Sequence, residues 1–301
     1  MNPETVFELG IISDEISDDV DCACNLIREW GLNHVELRRM WGKNILELNP
    51  EEVEHAAGIV KRHGLTVTAV ASPIFKSSRD GKISKEAQGD FLLEGFNSFE
   101  EQLNLIRKAS DIAKQLGTNF IRIFTFWREL WSTALVDDVS DKLIEAARLA
   151  RDLDIVLLVE NEPVCIVGSG KELGQLFQVI DQKTDIEVRK HIAMLWDPGN
   201  ASYGNSETPY PDGYDFLDPT RIKHIHLKDS TLDKDGNRQY VPMGHGTIDY
   251  VQQLRNLKEN GYQGSLVLEP HFHPEGHTKE WAAHVCVVAA KEVLRQALDD
   301  R

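Results

Sequence analysis

The sequence has few cysteines and no long apolar run, and each absence excludes a class of protein. Its 301 residues contain four cysteines with irregular spacing, which does not suit a disulfide framework, and a C-x-C pair alone is weak evidence for metal binding. We therefore expect buried, reduced thiols at Cys22, Cys24, Cys165 and Cys286. No run of about 18 apolar residues occurs, and the start, MNPETVFELG, lacks the segments of a signal peptide. These absences predict a cytoplasmic protein without a membrane partner.

Basic residues are also scarce. The chain has 33 lysines and arginines against 49 acidic residues, which gives a formal net charge of −16. Such a surface would repel a polyanion, so we expect no nucleic acid partner. Apolar residues make up 41% of the chain, and its length suits one large α/β domain or two smaller domains, but no change in composition marks a boundary. The expectation is a single domain over residues 1–301, and a homo-oligomer is compatible with it.

The chain repeats one unit, which consists of a short β-branched or aromatic run, a polar loop and a longer segment with helical spacing. Eight runs fit strands: 7–13, 34–37, 66–71, 120–124, 155–160, 192–196, 222–227 and 265–269. The helical patterns between and after them include 21–31, 50–64, 99–117, 141–154, 250–261 and about 278–298. Strict alternation predicts a parallel sheet, because parallel neighbours need a helical crossover. Eight units favour a closed (β/α)8 TIM barrel, with an open doubly wound sheet as the alternative.

Two nucleotide-binding motifs are missing, and one segment departs from the repeat. The first strand continues into GIISDEIS rather than G-x-G-x-x-G, and no G-x-x-x-x-G-K-[ST] loop occurs. The longest departure is 201–221, which is rich in Tyr, Gly and Pro where the sixth helix is expected. We interpret this segment as a short helix followed by a loop on the substrate side.

In a (β/α)8 barrel the active site lies at the carboxyl ends of the strands, so the polar residues that close each run matter most. The fifth to eighth strands end in or contain Glu160, Asp197, His226 and Glu269. Each residue alone is commonly a cap or an ion-pair partner, and Asp-Pro-Gly-Asn at 197–200 also predicts a tight turn. Three neighbouring carboxylates, however, would destabilise the fold unless a cation neutralised them. The set predicts a divalent metal, Mn²⁺ or Mg²⁺ first, with Co²⁺, Fe²⁺ or Zn²⁺ as alternatives.

Five motifs give the chain a family resemblance: VEN at 159–161, WDPGN at 196–200, HIHLKD at 224–229, GHG at 244–246 and LEPH at 268–271. Together they resemble the xylose isomerase-like TIM barrel superfamily of sugar phosphate isomerases and epimerases, which includes D-tagatose 3-epimerase, hydroxypyruvate isomerase and inosose dehydratase. The resemblance implies one catalytic metal bound by the four strand-end residues, with Glu160 and Glu269 as the acid/base pair. The implied activity is isomerisation or epimerisation of a small ketose, aldose or sugar acid through a metal-stabilised enediolate. An inosose-type dehydratase acting on a cyclitol, or a catalytically silent sugar-binding barrel, is the alternative.

The sequence departs from two branches of this superfamily. Endonuclease IV-type members carry extra histidines on the third and fourth strands, where this chain has ASPIFK and IFTFW, and a D-x-H element that HLKDSTLDKDG lacks. These differences, with the negative charge, argue against DNA repair. Epimerase relatives commonly carry His where this chain has Asn200, and an arginine shortly after the metal histidine, where the first arginine here is Arg238. The second set of differences concerns the particular reaction and leaves the four ligands intact.

Seven further residues at predicted strand ends or loops are candidates for substrate binding: Glu36, Lys76, Arg128, Asn200, Lys228, His245 and His271. An ion pair is the alternative for Glu36, and a solvated charge is the alternative for Lys228. His245 lies between two glycines before a predicted helix start, where backbone N–H groups could meet an anion. Weaker candidates are Phe75, Trp127 and Trp131 for the pocket wall, with core packing as the alternative, and Asp14 and Glu15 as hydroxyl acceptors.

Overall fold

Eight parallel strands close into a barrel at the centre of the structure, a computed structural model that describes residues 7–81, 98–203 and 207–299. In these ranges the strands, numbered in chain order, are β1 (Glu8–Ile12), β2 (His34–Leu37), β3 (Arg39–Met40), β4 (Lys43–Asn44), β5 (Thr66–Ile74), β6 (Phe120–Ile123), β7 (Val156–Glu160), β8 (Ile192–Trp196), β9 (Ile222–Leu227), β10 (Asp229–Leu232), β11 (Arg238–Val241) and β12 (Ser265–Leu268). The barrel runs in the order β1, β2, β5, β6, β7, β8, β9, β12 and closes by pairing of β12 with β1. β3 pairs with β4 and β10 with β11 as antiparallel hairpins. The predicted (β/α)8 barrel is confirmed, and the open sheet is excluded. The expected single domain of residues 1–301 includes four segments that lie outside the described ranges: 1–6, 82–97, 204–206 and 300–301.

Helices cover the outside of the barrel. In the described residues they are α1 (Val20–Glu29), α2 (Pro50–Arg62), α3 (Phe99–Leu116), α4 (Thr133–Leu153), α5 (Gly170–Lys183), α6 (Ile186–Arg189), α7 (Pro198–Tyr203), α8 (Tyr250–Glu259) and α9 (Lys279–Leu298). Side-chain caps fix their starts: Ser98 accepts the Glu101 N–H ahead of α3, and the Glu101 side chain accepts the Ser98 N–H. α4 begins at Thr133 rather than at 141, because Ser132 caps it further upstream. None of these helices is long and apolar enough to cross a membrane.

The segment 201–221 replaces a full sixth helix, and it packs closely against α5. Its described part contains the end of α7 and the 3-10 helices Asp212–Asp215 and Pro219–Arg221, while 204–206 lie outside the described ranges. A Cβ atom on Gly174 of α5 would lie 2.1 Å from the backbone oxygen of Phe216, so only glycine allows this approach. Glycines weaken helix propensity. α5 nevertheless keeps the helical spacing of buried apolar residues, at Leu173, Leu176, Phe177 and Ile180.

The apolar core forms two groups. The larger lies between strands and helices, and the smaller consists of Ala69, Leu158, Ala193 and Leu195 from β5, β7 and β8. Side chains alternate along a strand, so Leu158 faces the same side as Glu160, and Leu195 the same side as Asp197. These side chains therefore project into the barrel, and the apolar pair lies one layer below the two carboxylates.

The expectation that all four cysteines are buried is wrong for one of them. Cys24, Cys165 and Cys286 are buried, but Cys22 is exposed. α1 is amphipathic, and its buried face contains Val20, Ala23, Cys24 and Ile27. Cys22 lies on the opposite face of the helix, where it meets solvent.

The close contact at Gly174 predicts a specific stability difference. We expect Gly174→Ala to lower the free energy of unfolding by about 1–3 kcal/mol, because the new methyl group must displace the backbone at Phe216. Gly58→Ala is the matched control within α2, since no atom lies within 4 Å of a Cβ there, and it should stabilise the protein by up to about 1 kcal/mol. Urea unfolding of both variants measures the difference. If Gly174→Ala raised the free energy of unfolding as Gly58→Ala is expected to do, the packing argument would be refuted.

Candidate metal centre

Three carboxylates and one imidazole meet where four consecutive barrel strands end. Glu160 is the last residue of β7, Asp197 follows β8, His226 lies in β9 and Glu269 follows β12. Their exposed fractions are 1%, 0%, 0% and 4%. One ligand atom from each lies within 4.8 Å of those of the other three. The structure therefore brings the four residues predicted from the strand ends into one small volume with the composition of a metal site.

The imidazole of His226 lies between the carboxylates of this cluster and a further buried glutamate, Glu36. Its Nδ1 is 3.3 Å from Glu160 Oε1 and 3.4 Å from Glu269 Oε2, whereas its Nε2 is 3.0 Å from Glu36 Oε1. The other oxygen of Glu36 is 2.6 Å from Nε2 of His224. A proton on Nε2 of His226, donated to Glu36, leaves the lone pair of Nδ1 directed at the cluster. Metal binding through Nδ1 requires this tautomer, and a carboxylate behind the ring commonly fixes it.

Buried cations balance part of the negative charge of the cluster. Nη1 of Arg122, from β6, is 3.2 Å from Glu160 Oε2. Nζ of Lys228, just after β9, is 2.9 Å from Asp197 Oδ2 and 2.6 Å from Glu269 Oε2. Both side chains are about 5% exposed. Each carboxylate of the cluster therefore has a positive neighbour in a region with little water.

A third cation, Arg38, joins the cluster to the loop after β1. Its guanidinium group contacts Asp14 at 2.9 Å, Glu15 at 2.7 Å and Glu269 Oε1 at 2.5 Å. Asp14 and Glu15, which were candidates for hydroxyl acceptors, are thus buried partners of Arg38. Glu15 Oε1 also lies 3.3 Å from Nδ1 of His271, whose φ of 47° is unusual for a residue other than glycine. Glu15 and His271, which are far apart in the sequence, thereby meet at this edge of the cluster.

The pKa values reflect this balance of burial and charge. Burial raises the pKa of Asp197 to about 6 in spite of the opposing charge of Lys228. Burial also disfavours the charged form of Glu269, but the positive charge of Lys228 prevails and holds its pKa well below the usual value. For His226, burial favours the neutral ring, yet the negative charge of Glu36 raises the pKa well above its usual value. The cluster therefore takes up positive charge, as a proton on His226 when no metal is present, and a metal bound at Nδ1 would replace that proton.

Two oxygen atoms indicate what the cluster can bind. Glu160 Oε2 and Asp197 Oδ2 are buried and within ion-pair distance of cations, but neither accepts a hydrogen bond from any part of the chain that the structure describes. The connected network has six buried carboxylates, three buried cations and the protonated ring of His226: Asp14, Glu15, Glu36, Glu160, Asp197 and Glu269 against Arg38, Arg122, Lys228 and His226. A divalent cation would supply the missing positive charge and satisfy the two oxygens. The residues therefore fit a metal with hard oxygen ligands and one imidazole nitrogen.

A cavity of about 120 Å³ opens onto Glu160 and Glu269. Four of the seven substrate-binding candidates line it: Lys76, Asn200, Lys228 and His271. Asn200 donates from Nδ2 to Glu160 Oε1 at 3.2 Å, and its Oδ1 accepts from Lys228 at 3.2 Å. It thus lies within the cluster at the position where epimerase relatives carry histidine. Its backbone N–H also donates to Asp197 Oδ1, so the residues after Asp197 begin α7 instead of forming an isolated turn.

Three substrate-binding candidates lie elsewhere. Glu36 is fully buried behind His226 and does not line the cavity. Arg128 forms an ion pair at 2.5 Å with Glu172 of α5 and donates to backbone oxygens of the loop after β7. His245 is exposed, and the N–H groups of its neighbours Gly244 and Gly246 each donate at 3.0 Å to Asp229. The anion at the GHG motif is therefore a side chain of the protein. No described residue of 201–221 lines the cavity either.

Six residues of the cavity wall were not predicted: Arg38, Pro73, Arg122, Phe124, Glu162 and Tyr240. The sequence held a signal for Arg38 and Arg122, because each is a charged residue two positions from a residue that faces the barrel interior. Phe124, rather than the predicted aromatics, forms the apolar wall. Phe75 is buried and stacks on Phe99, while Trp127 and Trp131 do not reach the cavity.

Tyr240 comes from the β10–β11 hairpin, which no sequence pattern indicated. Its ring packs against His271 at a centroid distance of 5.2 Å. Arg238, two residues earlier in β11, does not line the cavity and anchors the hairpin to α7. It donates to the backbone oxygen of Ser202 at 2.9 Å and lies 4.7 Å from the ring of Tyr203. Arg238 therefore does not replace the arginine that epimerase relatives carry near the metal.

The fold and the cluster define a class of proteins, the (β/α)8 barrels with carboxylate and imidazole side chains gathered at the carboxyl ends of the strands. The sequence profile of the family described as "Xylose isomerase-like TIM barrel" matches residues 24–289. The chain belongs to this family, and the resemblance drawn from its motifs is confirmed.

Curated relatives are distant. The chain is 25% identical over 168 residues to an uncharacterised protein from Methanocaldococcus jannaschii, with 54% of this chain and 55% of that protein covered. It is 24% identical over 162 residues to an inosose dehydratase from Clostridium perfringens, with 48% and 49% covered. The chain thus spans about half the length of these relatives. A match at 22% identity to an inosose dehydratase from Clostridium botulinum covers 82% of this chain and 83% of that protein.

Solved structures share the architecture over almost the whole chain. A zinc-binding IolI protein has a TM-score of 0.73 at 17% identity, with 97% of this chain and 100% of that chain covered. A family protein from Mycobacterium smegmatis in complex with magnesium has a TM-score of 0.69 at 16% identity, covering 99% and 98%. A D-tagatose 3-epimerase-like protein has a TM-score of 0.69 at 19% identity, covering 97% of both. At these identities the likeness shows the fold alone.

The position of Glu36 behind His226 leads to a prediction about metal affinity. We expect Glu36→Gln to weaken Mn²⁺ binding by about 10- to 100-fold, because the ring loses the carboxylate that fixes its tautomer and orientation. Equilibrium dialysis measures the affinity. The control is Glu162→Gln, which changes a carboxylate that lines the cavity and pairs with Lys76 at 3.0 Å. Unchanged Mn²⁺ affinity in the Glu36 variant would show that the ring orientation does not depend on Glu36.

Proposed function

We propose that the chain is a cytoplasmic, single-domain enzyme that isomerises or epimerises a small ketose, aldose or sugar acid with a divalent metal. One observation carries the proposal. Glu160 and Glu269 come from strands separated by β8 and β9, and both reach His226 Nδ1, at 3.3 Å and 3.4 Å. They therefore form a pair of carboxylates around a single point where a cation and a reacting carbon can meet.

When bound, a divalent metal would polarise the carbonyl of the substrate and stabilise the negative charge that develops beside it. Glu160 and Glu269 supply the proton transfers. One carboxylate takes the proton from the carbon next to the carbonyl, and the other gives a proton back. Return to the same carbon from the opposite face inverts that centre. Return to the neighbouring carbon moves the carbonyl when the proton of the adjacent hydroxyl also passes to the former carbonyl oxygen. The same pair can therefore serve an epimerase or an isomerase.

The cavity wall provides groups that hold a polar substrate. Lys76 and His271 lie at its edge, with exposed side-chain fractions of 18% and 30%, and both can donate to hydroxyl or carboxylate oxygens. Phe124 gives the wall an apolar surface, which suits the C–H face of a sugar. The volume restricts the substrate to a small molecule.

A dehydratase acting on an inosose-type cyclic ketone is the second candidate, because several curated relatives carry the name inosose dehydratase. The first step is the same proton removal beside the carbonyl. The β-hydroxyl then leaves as water after it receives a proton, and no proton returns to carbon. A catalytically silent barrel would bind the sugar without forming either product.

The metal requirement is tested by elemental analysis after incubation with Mn²⁺ and removal of the excess. We expect about one equivalent of metal in the wild-type protein and a loss of at least about tenfold in affinity for Asp197→Ala, which removes one of four ligands. Asp152→Ala is the control, because that side chain is 64% exposed and far along α4 from the cluster. Equal, negligible metal in all three proteins would sink the proposed centre.

Proton abstraction is tested in D₂O with a panel of ketoses, aldoses and inososes and added Mn²⁺. A true substrate should incorporate deuterium at the carbon beside the carbonyl, and Glu269→Gln should abolish the incorporation because the amide cannot accept that proton. Asp152→Asn, at an exposed position on α4, should retain it. Full exchange in the Glu269 variant would remove Glu269 as a base, water release would identify the dehydratase, and ligand binding without exchange would indicate a silent barrel.

A further inference from the structure

Lys228 lies unusually close to the atoms that a metal would use. Its ammonium group is 2.9 Å from Asp197 Oδ2, 2.6 Å from Glu269 Oε2 and 3.2 Å from Asn200 Oδ1. The side chain is 5% exposed. A lysine that served only to bind substrate would not need to bridge two carboxylates of the cluster.

The rest of Lys228 is confined so that its ammonium group must reach these carboxylates. A Cβ atom on Gly199 would lie 2.1 Å from Lys228 Cγ, so the lysine stem rests directly on the backbone at the start of α7. Tyr250 donates its hydroxyl to the backbone oxygen of Lys228 at 2.6 Å, which fixes the main chain. WDPGN and HIHLKD are thus two sides of one contact, and the glycine of the first motif makes room for the lysine of the second.

In each of the two carboxylates, Lys228 contacts one oxygen atom and another part of the chain contacts the other. Asp197 Oδ1 accepts the backbone N–H of Asn200 at 2.9 Å, and Glu269 Oε1 accepts from Arg38 at 2.5 Å. The other two oxygens, Asp197 Oδ2 and Glu269 Oε2, are the atoms that Lys228 contacts, so a cation held by either would meet the ammonium group. Since metal–oxygen bonds are about 2.1 Å long, such a cation would lie within about 5 Å of Lys228 Nζ.

We propose that Lys228 is a built-in counter-cation that competes with the metal for Asp197 and Glu269. This inference rests on the metal centre of the proposed function. Without metal, the ammonium group balances the two carboxylates and keeps the ligands together. When metal binds, the two positive charges repel in a region with little water to screen them. The intrinsic cation thereby holds metal affinity below the value that the four ligands alone would give.

Removing this charge should strengthen metal binding. We expect Lys228→Met, which keeps the length of the stem, to bind Mn²⁺ at least about tenfold more tightly than the wild-type protein. Its metal-free form should melt at a lower temperature, with a larger rise on addition of Mn²⁺. The control is Lys223→Met, which removes an exposed lysine from the same strand and should change neither quantity. Isothermal titration and thermal melts with Mn²⁺ measure both.

A second variant tests the competition directly, including the case in which Lys228→Met does not fold without metal. Lys228→Ala leaves space for a small cation, so added methylammonium should weaken its Mn²⁺ binding while equal concentrations of NaCl or tetramethylammonium do not. The wild-type protein should not respond to methylammonium. Mn²⁺ binding by the variants that is no tighter than in the wild type, or is insensitive to methylammonium, overturns the inference. Absence of Mn²⁺ binding in the wild type instead overturns the metal centre itself.

Discussion

Carboxylates buried inside the barrel repel one another, and the arrangement of the surrounding side chains follows from the need to balance that charge. Arg38 just after β2, Arg122 in β6 and Lys228 just after β9 bring positive charge inward from three sides. Barrel strands alternate inward and outward side chains, so each cation is placed by the register of the strand that contains or precedes it. The apolar layer of Leu158 and Leu195 below keeps the cluster away from water. A site of this kind is held in place by the whole barrel rather than by one loop.

Several sequence motifs of the family turn out to be parts of the same contact surface. Lys228 lies on the backbone of WDPGN, while its neighbour Asp229 accepts N–H groups from the GHG loop. Asn161 of VEN donates to the backbone oxygen of Asp197 at 2.9 Å and accepts its N–H at 2.8 Å. The motifs are therefore constrained by one another as well as by a ligand. A change in one requires a matching change in the next.

Periodicity and strand ends were sufficient to predict the eight barrel strands and the meeting of Glu160, Asp197, His226 and Glu269. Those properties are local, because alternation fixes a strand and the parallel arrangement brings its end to a common rim. The role of Glu36 was not predictable in the same way, since its contact with His226 depends on the spatial distance between the second and seventh barrel strands. Loop residues were the least predictable. Arg128 was expected to bind substrate but lies outside the cavity, whereas Tyr240 was not expected there and lines it. In both cases the fold of the segment decides where the side chain lies.

In the β10–β11 hairpin, the residues that anchor the hairpin are different from the residue that lines the cavity. Arg238 and Asp229 anchor it to α7 and to the GHG loop, whereas Tyr240 alone among its residues faces the cavity. A substitution at position 240 can therefore alter the shape of the cavity without loosening the hairpin. In evolutionary terms, this gives the scaffold one position at which the cavity wall can drift while the buried charge network and the barrel stay unchanged.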